Sequence, residues 1–215
     1  SKLTNLVGEI SLKKNDVISA EIRSKINNKN DFSLSIKTNS RDEKVTNLFI
    51  EEPEPFIKNY KFIKGFTEGK LSYGSIEKNN ETKANLKIFD FKVQDVPVLA
   101  KLLTLASLQG IADILTGEGI RFNEFEMNYE SNQTLTNINE MYAIGPAISI
   151  LMEGYIDRNK LTSLRGTLVP ATTINKTISK IPLLGDILVG KKVGEGVFGV
   201  SFKIKGPPKD LKTSV

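Results

Sequence analysis

Five acidic residues are the first candidates for chemistry, because paired carboxylates can act as general acid and base. They are Asp90, Asp95, Asp113, Glu118 and Asp186. Asp95 precedes Val96-Pro97, where it would cap a helix, and Glu118 stands between glycines. Asp90 and Asp186 fall at predicted turns. We therefore predict structural roles for these carboxylates and no catalytic residue.

A glycine-rich segment is the second candidate. Gly194-Glu195-Gly196 follows Gly190 and could be mistaken for a loop that cradles phosphate. Such a loop leaves a strand and opens a helix. Here the glycines leave a predicted helix and enter a predicted strand, Val197–Ile204. The order predicts a flexible entry into a hairpin.

The composition narrows the chemistry further. The 215 residues include no cysteine and no histidine, which excludes disulfides, thiolate nucleophiles, imidazole bases and most zinc sites. We expect no cofactor, no metal and no enzymatic activity. The net charge of +5 comes from lysines scattered through asparagine-rich turns, with aromatic residues inside strands. Nucleic-acid binding needs clustered cations and exposed aromatics, so we do not expect it, whereas attraction to anionic lipid headgroups stays compatible with this charge.

Alternation with a period of two is the main structural signal, and it predicts strands joined by short polar turns. We expect roughly ten or eleven strands of about 8–11 residues in an antiparallel meander. The parity of the apolar residues shifts between Ile88 and Phe91, which predicts a bulge. One face of the first strands carries Ile18, Ala20, Ile22, Ile26, Phe32, Leu34, Ile36, Leu48 and Ile50.

Three short helical inserts interrupt the strands. Glu52-Pro53-Glu54-Pro55 stops the sheet before a helical pattern that starts at Phe56, and marks a possible internal boundary. The other two inserts, Val96–Leu115 and Thr172–Leu188, are almost uncharged. In the first of them, Gly110 and the nearby Gly117 would divide two short helices. A helix that is apolar all round must be buried or in lipid.

Two structural questions stay open at this level. The inserts are compatible with three roles: they could lie as lids over the sheet, contact a membrane or a partner, or form part of an ordinary hydrophobic core. The apolar face of the sheet fits a curved groove, which leaves part of that face open, or a sandwich, which hides it. No run of about 18 apolar residues could span a membrane. Ser1-Lys2-Leu3-Thr4 opens directly into strand-like sequence, so an exported form would be a piece of a longer chain.

Several motifs in order resemble the AsmA-like C-terminal region, which closes large bacterial envelope proteins of the AsmA, TamB and YhdP type. The resemblance covers residues 84–215. Residues 1–83 share no motif with that region and resemble it only in their strand pattern, as β-groove strands that would continue an upstream sheet. The motifs are Asp90-Phe91-Lys92-Val93-Gln94-Asp95-Val96-Pro97, Gly117-Glu118-Gly119-Ile120, Arg165-Gly166-Thr167-Leu168-Val169-Pro170, Ile181-Pro182-Leu183-Leu184-Gly185-Asp186-Ile187-Leu188 and Gly194-Glu195-Gly196.

The resemblance implies a mainly β fold: a strongly curved antiparallel β-sheet, or taco-like β-groove, with short helical inserts. It implies a periplasmic fragment of a longer, inner-membrane-anchored chain. The implied function is non-enzymatic phospholipid transport between inner and outer membrane, with acyl chains in the apolar groove. The alternative is a structural or docking module that ends a large envelope protein and binds an outer-membrane partner. The expected partners are phospholipid and a membrane surface or outer-membrane protein.

On this interpretation the apolar positions near the end of the chain line the groove, and leucines of the inserts form a helical lid. The expected groove residues are Ile148, Ile150, Met152, Phe198, Val200, Phe202 and Ile204. The expected lid residues are Leu99, Leu102, Leu103, Leu183 and Leu184.

Overall fold

The described strands form one antiparallel sheet. The structure is a computed structural model that describes residues 3–14, 16–57, 64–170, 199–207 and 210–215. Within these ranges twelve strands pair in the order of the chain, so that β1 and β12 are the two edges of an unclosed sheet. The strands are β1 Leu3–Lys13, β2 Asp16–Ile26, β3 Asn30–Thr38, β4 Lys44–Ile50, β5 Lys64–Lys78, β6 Glu81–Gln94, β7 Ile120–Ser131, β8 Leu135–Ile144, β9 Ile148–Asp157, β10 Thr162–Pro170, β11 Val200–Gly206 and β12 Lys212–Ser214. The predicted β class is confirmed, with slightly more strands than expected.

Asparagine-rich turns explain why consecutive strands pair. Asn79 and Asn80 join β5 to β6 with φ angles of 51° and 63°, and Asn27 and Asn28 after β2 are also left-handed. Two left-handed residues in succession make the turn whose twist matches that of the flanking strands. Asparagine tolerates this conformation better than most residues. The turns therefore favour a meander.

The predicted bulge in β6 is not found, because the register to β5 and β7 is the same before and after Asp90: Phe89 is opposite Lys70 and Glu124, and Phe91 is opposite Glu68 and Phe122. Asp90 has a φ of 51°, a left-handed backbone inside the strand. Before it, Ile88 points into the core; after it, Phe91 and Val93 point to the same side. The change of parity that the sequence shows therefore arises from the left-handed backbone of Asp90 and not from a bulge, and the apolar side chains stay on the core face.

Three helices lie in the described residues: α1 Glu54–Ile57, α2 Pro97–Leu105 and α3 Gln109–Thr116. The prolines at 53 and 55 do end β4, but they mark no division of the sheet, because β4 pairs with β5 from Lys44 opposite Glu77 to Ile50 opposite Leu71. The expected division after residue 83 falls inside β6. The second long insert, Thr172–Leu188, and the segment Gly194-Glu195-Gly196 lie outside the described residues.

The prediction that Asp95 caps α2 is wrong. The helix begins one residue later, with Val96 as its N-cap, Pro97 in its first turn and no side-chain capping bond. Asp95 itself has a φ of 52°, and this left-handed residue turns the chain from β6 toward the helix. The backbone N–H of Ala100 donates to the Val96 carbonyl at 2.9 Å, which closes the first turn.

The predicted pair of short helices is confirmed, but their division lies before Gly110. The break between α2 and α3 contains Ser107, which has a φ of 58°. Gly110 lies in the first turn of α3, whereas Gly117 ends that helix as predicted. A left-handed serine, rather than a glycine, therefore separates the two helices.

One hydrophobic core joins the helices to the sheet. Leu103 of α2 and Leu115 of α3 are fully buried, and α2 contacts β12 while α3 contacts β6. Beneath them Phe91 stacks on Phe66 and on Phe122, each with ring centroids 5.5 Å apart. Among the described helices none is long and apolar enough to cross a membrane.

Candidate functional site: the apolar face of the sheet

Strand register places the alternating apolar residues on one face, in rows that run across the strands. Residues opposite each other on neighbouring strands share a face. We name two of these rows. The inner row is Phe32, Ile50, Leu71, Ile88, Phe125, Ala143, Ile150, Leu168 and Val200. The methionine row is Ile22, Leu34, Leu48, Tyr73, Leu86, Met127, Met141, Met152, Gly166 and Phe202.

Two further rows lie toward the hairpins that join β1 to β2, β3 to β4 and β5 to β6. The outer row is Ile10, Ala20, Ile36, Thr46, Ser75, Ala84, Tyr129, Ile138, Gly154, Leu164 and Ile204. The rim row is Thr38, Lys44, Glu77, Thr82, Ser131, Thr136, Ile156, Thr162 and Gly206. These four rows together are the apolar face.

The helices cover one end of this face. At the end of the strands beyond the inner row, α2 and α3 bury Phe91, Val93, Ile120 and Phe122. On β3 the inner-row residue Phe32 stacks against Phe56 of α1, with centroids 5.9 Å apart. The apolar face is thus closed at the helix end of the strands.

The opposite corner of the face, on β1 to β4, is the most open part. On β1, Ile10 and Leu12 are 55% and 63% exposed, although both are aliphatic. Behind them, Leu34 and Ile36 on β3 and Leu48 on β4 are only half-buried. A contiguous patch of exposed apolar side chains is typical of a binding surface. This part of the face can take up an apolar chain.

The predicted groove residues share the apolar face, but most of their surface is already covered. Phe202 and Ile204 lie in the rows named above, and Ile148 continues the face beyond the inner row; all three are buried. Ile150, Met152 and Val200 are half-buried and pack against the core. Phe198 lies outside the described residues.

The predicted lid is in part a core element. Leu99, Leu102 and Leu103 of α2 are buried in the hydrophobic core, whereas Leu183 and Leu184 lie outside the described residues. Alternation alone identified the apolar side of β2 to β4, yet it missed that this region is the open one. The signal for openness is the absence of nearby helical inserts in the sequence before Glu54.

Polar networks characterise the opposite face. Glu126 accepts hydrogen bonds from Asn85 and from the Tyr142 hydroxyl, each at 2.6 Å, and pairs with Lys87 at 3.1 Å. Burial acts to raise the pKa of Glu126, but the hydrogen bonds from Tyr142, Lys87 and Asn85 outweigh it and hold that pKa below its ordinary value. Burial, with the hydrogen bonds to Glu126 and Glu124, raises the pKa of Tyr142. The Glu126 carboxylate thus has hydrogen-bonding and ion-pair partners on both neighbouring strands, β6 and β8.

The acidic residues considered first are not brought together. Asp90, Asp95, Asp113 and Glu118 are all exposed, and Asp113 accepts a hydrogen bond from Gln109 of its own helix at 2.7 Å. Asp186 lies outside the described residues. No group of three or more acidic side chains in the described part of the chain is arranged to hold a metal ion.

Comparisons with protein-family models, with curated proteins and with solved structures found no match to this chain. The inference of a function therefore rests on the residues themselves: the motifs of the sequence and the partly open apolar face of the sheet.

Proposed function

We propose that this protein binds and carries phospholipid without catalysing a reaction. The acyl chains lie on the apolar face while the headgroup stays in water. The observation that carries the proposal is an apolar face that extends over the described strands and is left open on β1 to β4, where Ile10 and Leu12 are exposed. The resemblance of residues 84–215 to the AsmA-like region supports a role in the bacterial envelope, in the periplasm between inner and outer membrane.

The energetics favour such a ligand. Each methylene group that leaves water for an apolar environment contributes about 0.8 kcal/mol. An acyl chain that covers Ile10, Leu34 and Leu48 would also remove those half-exposed side chains from water. The net charge of +5 adds a general attraction for anionic headgroups. Partition alone therefore supplies the driving force, and no chemical step is needed.

The extent of the core supports the taco-like curvature that we propose for the sheet. Buried residues of the apolar face run from Phe66 on β5 to Ile204 on β11. In a flat sheet these strands would span about 29 Å, because neighbouring strands lie about 4.8 Å apart. Among the described residues, the two helices that pack on this core, α2 and α3, cover about 20 Å side by side. A sheet that curves around α2 and α3 removes the mismatch and leaves a groove on β1 to β4.

Two substitutions on β3 test the proposal. Leu34→Asp puts a charge on the open apolar face, and Ser33→Asp puts the same charge on the opposite face, beside Arg23. We expect Leu34→Asp to reduce binding of fluorescent phosphatidylethanolamine at least tenfold and Ser33→Asp to leave it unchanged, with both circular dichroism spectra native. Failure of the unmodified protein to bind any phospholipid would overturn the proposal.

A second candidate function, a docking module for an outer-membrane partner, is favoured by the edge strand β1. Leu6 and Val7 on this strand are 62% and 72% exposed. Exposed edge strands readily take up a strand from another chain. Native mass spectrometry distinguishes the two functions. Co-purifying phospholipid favours transport, and a lipid-free protein that forms a complex through β1 favours docking.

A further inference from the structure

Strand β1 leaves a long edge of the sheet unpaired. In the described part of the chain it pairs with β2 alone, and every residue from Val7 to Lys13 is exposed. Natural edge strands are commonly interrupted by a bulge, a proline or an inward charge. Here one irregularity lies near Asn5, before this stretch, and at the second the extra residue is Ile18 on β2. The edge from Val7 to Lys13 is therefore continuous and can pair with another strand.

The opposite edge of the sheet is a poor partner for β1. Strand β12 has only three residues, Lys212–Ser214, so pairing of β1 with β12 of another copy would form few hydrogen bonds. Such head-to-tail contacts also leave one edge free at each step and build open chains. A second β1 offers an edge of equal length. Antiparallel pairing of two β1 strands about a two-fold axis closes the assembly at two copies.

The alternation of side chains and the charges on β1 select the register of such a pair. Ile10 and Leu12 belong to the apolar face, and the faces of two copies are continuous only if even-numbered residues lie opposite even-numbered residues. With Glu9 at the axis, two carboxylates would meet. With Ile10 at the axis, Glu9 would lie opposite Ser11. With Ser11 at the axis, Glu9 of each copy lies opposite Lys13 of the other.

The surroundings of Glu9 favour the last register. Glu9 lies opposite Glu21 of β2, and like charges directly opposite each other are destabilising. Glu21 has cationic partners in Arg23 and Lys37. Within the described ranges neither Glu9 nor Lys13 makes an ion pair. A lysine from a second copy would supply the cation that Glu9 lacks.

We propose that two copies of this chain pair antiparallel through β1, with Ser11 at the two-fold axis. Ile10 of each copy then lies opposite Leu12 of the other. Side chains stand perpendicular to a sheet, so the apolar faces of the two copies become continuous and stay open. About seven residues of each copy take part, which is a small interface, so the dimer forms at high concentration and the dilute protein is a monomer. This assembly needs no phospholipid and is independent of the proposed function.

Single cysteines test the pairing, because the chain has none of its own. In the proposed dimer the Cα atoms of the two Ser11 residues lie about 5 Å apart, within the range that a disulfide spans. Val7 is on the same face and equally accessible, but lies about 26 Å from its counterpart. Under mild oxidation Ser11→Cys should form a linked dimer at least tenfold faster than Val7→Cys. Equal rates overturn the proposal.

Charge reversal tests the register. In the Ser11→Cys background, Glu9→Lys or Lys13→Glu puts like charges opposite each other and should slow the cross-link at least fivefold. The double variant Glu9→Lys/Lys13→Glu restores both pairs with their signs exchanged and should restore the rate. Glu9→Lys also removes the like charge opposite Glu21, so a slower cross-link is not explained by a weakened β1. A rate that is insensitive to the single reversals overturns the register, as does a double variant as slow as either one.

A measurement on the unmodified protein completes the test. Sedimentation velocity without lipid should show a reversible dimer that increases with protein concentration and decreases with salt, because salt screens the two ion pairs. A protein that stays monomeric up to about 1 mM overturns the proposal and leaves the β1 edge to a strand of another protein.

Discussion

At the scale of single residues, the Glu126 cluster shows how the polar face is held together. The carboxylate accepts from Tyr142 and Asn85 and pairs with Lys87, so three strands are joined through one side chain. Removing the Tyr142 hydroxyl leaves acceptor oxygens of Glu126 and Glu124 without this donor. We expect Tyr142→Phe to lower the free energy of unfolding by about 1 to 2 kcal/mol at neutral pH. Urea denaturation measures it, with the exposed Tyr155→Phe as control.

The same cluster predicts a dependence of stability on pH. The pKa of Glu126 is lower in the folded protein than in the unfolded chain, because hydrogen bonds to its charged form outweigh burial. Its contribution to stability is therefore present above the ordinary carboxyl pKa of 4.5 and is lost as pH falls through the lower, folded value. Glu126→Gln should reduce the acid sensitivity of unfolding. Identical slopes of stability against pH in the two proteins would contradict this assignment.

At the scale of elements, the entry into α2 depends on backbone conformation. Asp95 is left-handed and makes no capping bond in the helix that follows. Glycine adopts this conformation without strain, and alanine does so at a cost of about 1 kcal/mol. We expect Asp95→Gly to be at least as stable as the unmodified protein and Asp95→Ala to be about 1 kcal/mol less stable, by thermal unfolding. A residue acting as a cap would instead lose a few tenths of a kcal/mol on change to glycine.

Packing of α2 on the sheet gives a second prediction at this scale. Leu103 is fully buried in the core, whereas Leu105 of the same helix is 43% exposed. Leu103→Ala should cost about 2 to 5 kcal/mol, because it leaves a cavity. Leu105→Ala is the matched control and should cost less than about 1 kcal/mol. Similar losses at both positions would mean that α2 is not packed on the sheet by this side.

Much of the element arrangement could be predicted from the sequence, and the reasons for the exceptions are physical. Strict alternation and paired asparagines indicate strands and turns locally, and the sequence places the parity shift between Ile88 and Phe91 correctly, although the left-handed Asp90 and not a bulge produces it. The start of α2 could not be predicted, because capping depends on the φ of Asp95. The methionine row could not be predicted either, because register shifts such as that between Ile138 and Met141 decide which residues face each other.

At the scale of the whole molecule, apolar side chains are buried to different extents in different strands of the sheet. The core cluster involves β5 to β11, whereas β1 carries a series of exposed apolar residues. Regions with few buried contacts open first. Hydrogen exchange should show amides of β1 and β2 exchanging at least tenfold faster than those of β7 to β9. Uniform protection over the sheet would contradict this gradient, and phospholipid should raise protection in β1 to β4 if that region binds it.

The strand order also has a consequence for how such a protein can change its size. Each described strand pairs only with its neighbours in the chain, so the sheet is nearly a one-dimensional array of hairpins. In such arrays stability is close to a sum over units and their nearest neighbours, and folding can begin at any unit. Duplicating a hairpin near β3 would lengthen the array without changing the path of any other connection between strands. Gene duplication could thus extend the sheet in steps of two strands.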